Sequence, residues 1–340
     1  MKTDTATRVD IRAYVPGDEP AVLKLLSASL GSGPAGSRTP EFFRWKHFDN
    51  FFGPSYMLVA ECDDRLVGFR SFMSWRFQVQ GLTLRALRPV DTATHPDYQG
   101  RGIFSGLTET AIAAVRDETD VIFNTPNSAS LPGYLKMGWE VVGRMPVWVR
   151  VRRPLRLITR LRTIRSSLDP SRARPVVNAS RAAEVLESPE VASLLRRTPQ
   201  DPGGITTPWS TDFLRWRYAS APLLDYRAVT DEREGELRGV AIFRVRPRGG
   251  LWETTISEFI VRSNDGPTVR RLLREVARSA HSDHITCRLP DGRVGRPSRY
   301  GLVAVPKGIT LVARDFGHGS VADPMRIESW SLSLGDLEVF

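Results

Sequence analysis

The feature that most constrains the fold is an internal repeat. The segment 41–46, EFFRWK, corresponds to 212–217, DFLRWR, and the segment 66–69, LVGF, corresponds to 237–240, LRGV. Both pairs are separated by 171 residues (212 − 41 and 237 − 66), so they are collinear without a gap. A constant offset of this kind indicates a duplicated structural unit. A chain of 340 residues can hold two units, each with its own core.

Each half also carries a similar succession of strands and helices. Runs of β-branched and apolar residues bounded by turn residues predict the strands, and apolar residues at helical spacing predict the helices. In chain order these are strands near 8–15, 56–62, 66–79, 82–94 and 120–124, and later near 226–231, 235–247 and 251–262, with helices near 39–50, 105–116, 128–136 and 267–280. We therefore predict an α/β (α+β) protein of two tandem domains, 1–150 and 175–340. Each domain is a mixed twisted sheet flanked by helices, and residues 151–174 link the two.

A candidate phosphate-binding loop follows the strand at 82–94. Gly100 and Gly102 alternate with larger residues in this loop, and a predicted helix begins directly after it. The start of a helix leaves backbone N–H groups without intrahelical partners and carries a partial positive charge. Glycines let the backbone close around an anion, and Arg101 can add a charged donor. This strand, loop and helix therefore predict a binding site for phosphate.

Two motifs in this region resemble the GCN5-related N-acetyltransferase (GNAT) superfamily. Residues 99–104, QGRGIF, resemble its signature Q/R-x-x-G-x-G/A, with Phe104 in the place of the final small residue. The pattern N-x6-Y-x-K-x-G-F/W follows it in this superfamily, and the matching residues here are Asn127, Tyr134, Lys136, Gly138 and Trp139. Two motifs in the right order are far less expected by chance than either alone. The second half has neither motif, so we predict a degenerate domain that keeps the fold without binding the cofactor.

The resemblance implies an acyl-coenzyme A co-substrate, acetyl-coenzyme A above all, and no metal. The implied cofactor-binding residues are Thr92, Ala93, Thr94, Gln99, Gly100, Arg101, Gly102, Ile103, Phe104 and Asn127. Backbone N–H groups of 99–104 would hold the pyrophosphate, and the edge of the strand at 87–94 would pair with the pantetheine amides. A backbone N–H near Ala93 would polarise the thioester carbonyl, and Asn127 would hydrogen-bond the cofactor.

The resemblance also implies direct acyl transfer to an amine. Such a reaction needs an acid for the departing thiolate and a neutral amine. Tyr134 matches the tyrosine that serves as the acid in this superfamily. The base stays open between Asp91, which is the nearest carboxylate, His95, the carboxylate of Phe340, and water. The acceptor is predicted to be a small-molecule amine, such as an amino sugar.

Charge suggests a second, non-catalytic interpretation. The formal net charge is +10 and the pI is about 10.1, which favours anionic partners without selecting one. Residues 151–174 combine many arginines with apolar residues three and four positions apart. We interpret this segment as a connector. In the alternative interpretation, a GNAT-fold module docks on an anionic membrane or nucleic acid through it. We expect no specific nucleic-acid partner.

The remaining features favour a cytoplasmic protein. Cys62 and Cys287 are far apart, which does not indicate a disulfide framework. No apolar run reaches the roughly 18–20 residues of a membrane-spanning helix, and the first residues lack the apolar stretch of a signal peptide. The segment 330–340 alternates between apolar and polar residues, so we predict that the second domain ends in a C-terminal docking strand.

Overall fold

The computed structural model describes residues 9–30, 39–156, 174–198, 204–262, 265–289, 296–317 and 322–337. The strands are β1 (Asp10–Ala13), β2 (Tyr56–Cys62), β3 (Arg65–Val79), β4 (Leu82–Thr94), β5 (Val121–Asn124), β6 (Glu140–Met145), β7 (Trp148–Val151), β8 (Ser180–Arg181), β9 (Arg227–Arg233), β10 (Glu236–Arg248), β11 (Leu251–Val261), β12 (His284–Cys287), β13 (Val303–Ala304) and β14 (Ile309–Asp315). The α-helices are α1 (Glu19–Leu30), α2 (Pro40–His47), α3 (Ile103–Val115), α4 (Leu131–Lys136), α5 (Ala182–Leu186), α6 (Pro189–Arg197), α7 (Thr211–Leu214), α8 (Gly266–Ser279) and α9 (Leu334–Leu337). None of these described helices combines the length and apolar composition needed to cross a membrane.

The strands form two mixed seven-stranded sheets, which confirms the predicted α/β architecture of two units. The first sheet has the order β1-β2-β3-β4-β5-β14-β6, and the second has the order β13-β7-β12-β11-β10-β9-β8. We call them the first and second sheet, and the units built on them the first and second unit.

The two units exchange one strand each. Strand β14, from the end of the chain, lies between β5 and β6 in the first sheet. Strand β7, from the first half, lies between β12 and β13 in the second sheet. Each sheet is therefore complete only with a strand from the other half. The domain boundaries at 150 and 175 stay predictions, and of the predicted linker only 151–156 and 174 belong to the described residues.

The repeated tryptophans meet at the contact between the units. The indole N–H of Trp45 donates to the carbonyl of Trp216 at 2.9 Å, and the indole N–H of Trp216 donates to the carbonyl of Trp45 at 3.1 Å. Their rings stack with centroids 5.3 Å apart. The two residues are 171 positions apart. This reciprocal contact is what a pseudo-twofold relation between duplicated units produces.

The repeated glycines share one packing role. A Cβ atom on Gly68 would lie 2.6 Å from a methyl carbon of Ile103 on α3, and one on Gly239 would lie 2.6 Å from the methyl carbon of Thr268 on α8. Both helices therefore pack directly on the backbone of their sheet. The repeat preserves glycine because no larger side chain fits beneath the helix.

The last described segment docks between the units as a turn of helix. Trp330 forms an isolated β-bridge with Ile205. Residues 334–337 form α9, so the prediction of a strand over 330–340 is wrong for these four residues. The segment is buried, and two buried arginines bind its backbone. Arg88 donates to the carbonyl of Leu337 at 2.8 Å, and Arg217 donates to the carbonyl of Gly335 at 2.8 Å.

Candidate active site

A cleft opens in the first sheet where β4 and β5 diverge. These two parallel strands pair only at Ala86–Val121 and Leu87–Ile122. Beyond this point β4 continues to Thr94 and pairs with β3 on one side only. The edge of β4 that faces β5 is not paired with β5 there. An extended ligand with amide groups can hydrogen-bond to such an edge as a further strand would.

The predicted phosphate loop lies at the start of α3. Gly100 and Gly102 have φ values of +76° and +77°, and Gly102 is the N-cap of the helix. A Cβ atom on either glycine would meet nothing within 4 Å, so the backbone conformation rather than crowding requires glycine here. Arg101 donates to the carbonyl of Asp97 at 3.3 Å and lies 4.9 Å from the centre of the Tyr98 ring. Its side chain therefore braces the loop.

The predicted acid, Tyr134, contacts a buried arginine. Tyr134 lies on α4 and is 5% exposed, and Arg70 of β3 is 1% exposed. The two terminal nitrogens of Arg70 lie 3.5 and 3.4 Å from the Tyr134 hydroxyl, and Arg70 also donates to Thr92 of β4. The Phe104 ring lies 5.0 Å from the guanidinium carbon. Phe104, which replaces the small residue of the signature, thus provides an aromatic face for the arginine.

This contact determines which way the phenol can donate. An arginine has only donors, so the Tyr134 oxygen accepts from Arg70 and cannot donate to it. Within the described residues the Tyr134 hydroxyl makes no other hydrogen bond. Its proton is therefore available to a group that enters the cleft.

The predicted base, Asp91, lies in a buried cluster. The backbone φ angle of Asp91 is +42°. Asp91 and Thr92 of β4 both lie opposite the single residue Arg70 of β3, so β4 has a β-bulge at this point. Its carboxylate lies 2.8 Å from the Lys46 ammonium and 3.0 Å from His47 Nε2. These contacts are those of a structural ion pair, and they disfavour the role of base, which remains a prediction.

His95 is also engaged with neighbouring residues. Its Nε2 lies 2.6 Å from a terminal nitrogen of Arg65, and its Nδ1 accepts from the backbone N–H of Asp97 at 3.3 Å. His95 thereby begins the short turn Pro96–Tyr98 that leads to the phosphate loop. These contacts indicate that His95 shapes the turn before the phosphate loop.

Asn127 combines a structural contact with a free donor. Its Oδ1 accepts from the backbone N–H groups of Ala129 at 3.0 Å and Ser130 at 2.9 Å, which closes the turn before α4. In the described part of the chain its Nδ2 has no hydrogen-bond partner and the residue is exposed, so the amide can still donate to a cofactor. Phe340, the third candidate for the base, lies outside the described residues.

Sequence reasoning missed the cationic residues around the cleft. Arg70 interrupts an otherwise apolar run in β3, and that interruption is the signal that could have identified it. Lys46 and His47 contact Asp91 from a helix more than 40 residues away, which no local pattern indicates. Arg88 donates to Thr125 at 3.0 Å where β4 and β5 diverge.

A cavity of about 910 Å³ lies between the two units and reaches Thr125 at the end of β5. Apolar residues form much of its wall, including Val147, Trp252, Leu334 and Leu337. Among the described residues, the charged ones in its lining are four arginines, one histidine and two carboxylates: Arg174, Arg244, Arg246, Arg248, His284, Asp225 and Glu253. With the histidine neutral, these described residues have an excess of two positive charges.

Glu253 anchors the polar end of this cavity. Burial alone would raise the pKa of Glu253, but the hydrogen bond to His284 and the charges of Arg246 and Arg248 outweigh burial and hold the pKa well below its ordinary value. Its oxygens also accept from the hydroxyl of Thr286 at 2.9 Å. The carboxylate is therefore ionised and saturated, so it offers little to a ligand.

Comparison with known proteins agrees with this geometry. Residues 10–142 match the family model described as the acetyltransferase (GNAT) domain. This part of the chain is therefore similar to a GNAT acetyltransferase domain, and the second unit repeats its fold without the motifs. No curated protein matches the chain. Among the described residues no group of histidine, cysteine, aspartate or glutamate could hold a metal ion.

Several solved structures share the fold over most of the chain. A conserved protein of unknown function from Enterococcus faecalis V583, described as a probable N-acyltransferase, is 14% identical with a TM-score of 0.62, covering 91% of this chain and 73% of its own. A GCN5-related N-acetyltransferase from Anabaena variabilis ATCC 29413 is 13% identical with a TM-score of 0.59, at 91% and 73% coverage. Eis1 from Mycobacterium abscessus is 15% identical with a TM-score of 0.54, at 91% and 74% coverage. At these identities the likeness establishes the fold of both units.

Proposed function

We propose that the protein is an acyl-coenzyme A-dependent N-acyltransferase that transfers an acetyl group from acetyl-coenzyme A to a small-molecule amine. The observation that carries this proposal is the meeting of three features at one cleft. These are the unpaired edge of β4, the glycine loop at the start of α3, and a tyrosine whose proton is free to be donated. The loop holds the pyrophosphate, the β4 edge pairs with pantetheine, and Asn127 donates to the cofactor.

The reaction is a direct transfer in which the chain supplies one proton. The amine nitrogen attacks the thioester carbonyl, the C–N bond forms and the C–S bond breaks. The departing sulfur takes the proton of the Tyr134 hydroxyl. Tyr134 then regains a proton from solvent. The proton lost by the amine goes to water, because Asp91 and His95 are held by Lys46 and Arg65 respectively. Arg70 keeps the phenol oxygen as an acceptor and so directs its proton toward the sulfur.

The cavity between the units is the proposed acceptor site. It reaches Thr125, which lies where β4 and β5 diverge, so an amine there approaches the thioester from the side of the second unit. Its apolar wall and excess of arginines suit an amine that carries an apolar body and an anionic group. A polycationic amine such as an aminoglycoside is disfavoured by the same charges.

Two buried free thiols, Cys62 and Cys287, suit a reducing compartment such as the cytoplasm.

The test is thiol release from acetyl-coenzyme A with a panel of amines, comparing the wild type with Tyr134→Phe. Loss of the acid should lower kcat by about 10²–10⁴-fold without changing the dissociation constant of acetyl-coenzyme A. Tyr14→Phe is the matched control, because the Tyr14 hydroxyl is buried without a hydrogen-bond partner among the described residues. The proposal is refuted if no amine stimulates thiol release, or if both tyrosine variants turn over at the wild-type rate.

The alternative, a non-catalytic module that docks through the basic linker, rests on residues that lie largely outside the described part. It predicts no thiol release with any amine. It also predicts salt-sensitive binding to anionic vesicles or nucleic acid that depends on Arg156, Arg160 and Arg162.

A further inference from the structure

Four arginines surround one small pocket on the second unit. The pocket has a volume of about 290 Å³ and is lined by Arg150, Arg270, Leu273, Arg274, Arg299, Tyr300 and Gly301. Arg150 comes from β7, Arg270 and Arg274 from α8, and Arg299 from the short turn Pro297–Tyr300. No carboxylate of a described residue lines this pocket. The pocket therefore collects four positive charges from three separate elements.

None of these four arginines is neutralised by the described part of the chain. The side chains of Arg150, Arg270, Arg274 and Arg299 make no hydrogen bond or ion pair with any described residue. The guanidinium of Arg270 lies 6.0 Å from the centre of the Tyr300 ring. Their donors are thus available to an external acceptor.

A second pocket extends the same positive surface. It has a volume of about 590 Å³, shares Arg150 and Arg274 with the first, and adds Arg152, Arg278 and His281. Burial lowers the pKa of Arg152, and the charges of Arg153 and Arg150 lower it further. Part of this effect on Arg152 therefore comes from the positive charges around it.

The sequence maintains this arrangement at a cost to the helix. Arg270, Arg274 and Arg278 are spaced by four residues, so α8 carries them along one face. Like charges at this spacing destabilise a helix. Glu275 pairs with Arg278 at 3.2 Å but does not line either pocket. A bound anion would remove the repulsion that the chain leaves uncompensated.

We propose that these two pockets bind a compact soluble ligand with at least two phosphate groups. Planar guanidinium groups bind phosphate oxygens through two parallel hydrogen bonds, and several arginines around one pocket favour a doubly charged group over a carboxylate. Two adjoining pockets that share two arginines suit two linked phosphates. Their concave shape favours a compact molecule over a flat membrane surface, although phospholipid headgroups offer the same chemistry. This site lies outside the acyl-transfer cleft and does not depend on the proposed enzyme activity.

The test is a calorimetric titration of inorganic triphosphate into the full chain carrying Gly102→Glu, which removes the loop of the first unit as a competing phosphate site. The Arg270→Gln/Arg274→Gln variant should bind at least about a hundredfold more weakly, because two charge-assisted contacts are lost. Arg196→Gln/Arg215→Gln is the control variant, because it changes the net charge by the same amount. The arginines replaced in both variants are exposed. The control should bind as tightly as its parent.

Sedimentation with vesicles of phosphatidylglycerol or phosphatidylcholine separates the two sources of phosphate. Triphosphate binding that is lost in the Arg270/Arg274 variant and kept in the control supports the proposal. Equal binding by both variants would overturn it. It would also be overturned by vesicle binding that depends on Arg270 and Arg274 in a protein that does not bind triphosphate, since that result assigns the surface to membranes.

Discussion

The two repeated glycines make a matched pair whose substitution should separate stability from cofactor binding. In Gly68→Ala the new methyl carbon would lie 2.6 Å from Ile103 and 2.9 Å from the Cβ of Ala60. In Gly239→Ala it would lie 2.6 Å from Thr268 and 2.8 Å from Val261. Overpacking of this kind costs about 1–3 kcal/mol. Because the crowding is nearly the same, the two variants should lose similar amounts of unfolding free energy.

Their effects on the cofactor should differ. Ile103 is the first residue of α3 and directly follows the Gly100–Gly102 loop, so relief of the clash in Gly68→Ala displaces the phosphate-binding backbone. A loss of about 1.4 kcal/mol of cofactor contacts corresponds to tenfold weaker binding, and we expect an effect of this size. Gly239→Ala disturbs only α8 of the second unit and should bind acetyl-coenzyme A as the wild type does.

The assay combines urea unfolding followed by circular dichroism with calorimetric titration of acetyl-coenzyme A. Gly17→Ala is the control, because a Cβ at this position meets nothing within 4 Å and the backbone is not left-handed. It should change neither property. Equal loss of cofactor binding in Gly68→Ala and Gly239→Ala, or unchanged stability in both, would refute the reasoning.

Two further predictions concern the contact between the units. Trp45→Phe should lower the free energy of unfolding by about 1–3 kcal/mol, because the buried carbonyl of Trp216 loses its donor. The double variant Trp45→Phe/Trp216→Phe should lose less unfolding free energy than the sum of the two single variants. Strict additivity in urea unfolding would contradict a shared contact. Burial and the nearby Asp336 raise the pKa of Glu258 from 4.5 to about 8. The folded state therefore holds this proton more tightly than the unfolded state, so this contribution to stability is complete below pH 4.5 and is lost as the pH rises through about 8. Glu258→Gln, which keeps an acceptor for Tyr218 and Ser333, should flatten the pH dependence of unfolding between pH 5 and 8; an unchanged slope would contradict the assignment.

The sequence predicted individual elements well and their partners poorly. Strands β3 and β4 were located to within a residue, because their long runs are bounded by turns in which Asp64 and Gln80 have φ values of +60° and +50°. The exchange of β7 and β14 was not predicted, since a short apolar strand fits either sheet by its pattern alone. Which sheet it joins depends on the course of the whole chain.

The same limit applies to the site. The loop and Tyr134 could be located by motif, whereas the partners of Asp91 and the role of Arg70 depend on contacts between distant segments. The alternation in 330–340 suggested a strand, but Asp336 accepts from the backbone N–H of Ser333 at 2.7 Å and stabilises a turn instead.

The most direct test of the central claim is a calorimetric titration of acetyl-coenzyme A into the wild type, Gly102→Glu and Gly235→Glu. Gly102 and Gly235 have φ values of +77° and +72° and open space around them, so both substitutions impose similar backbone strain. The account predicts one binding site per chain in the wild type and in Gly235→Glu, and no binding in Gly102→Glu. Absence of binding in the wild type, or equal binding by both variants, would contradict it.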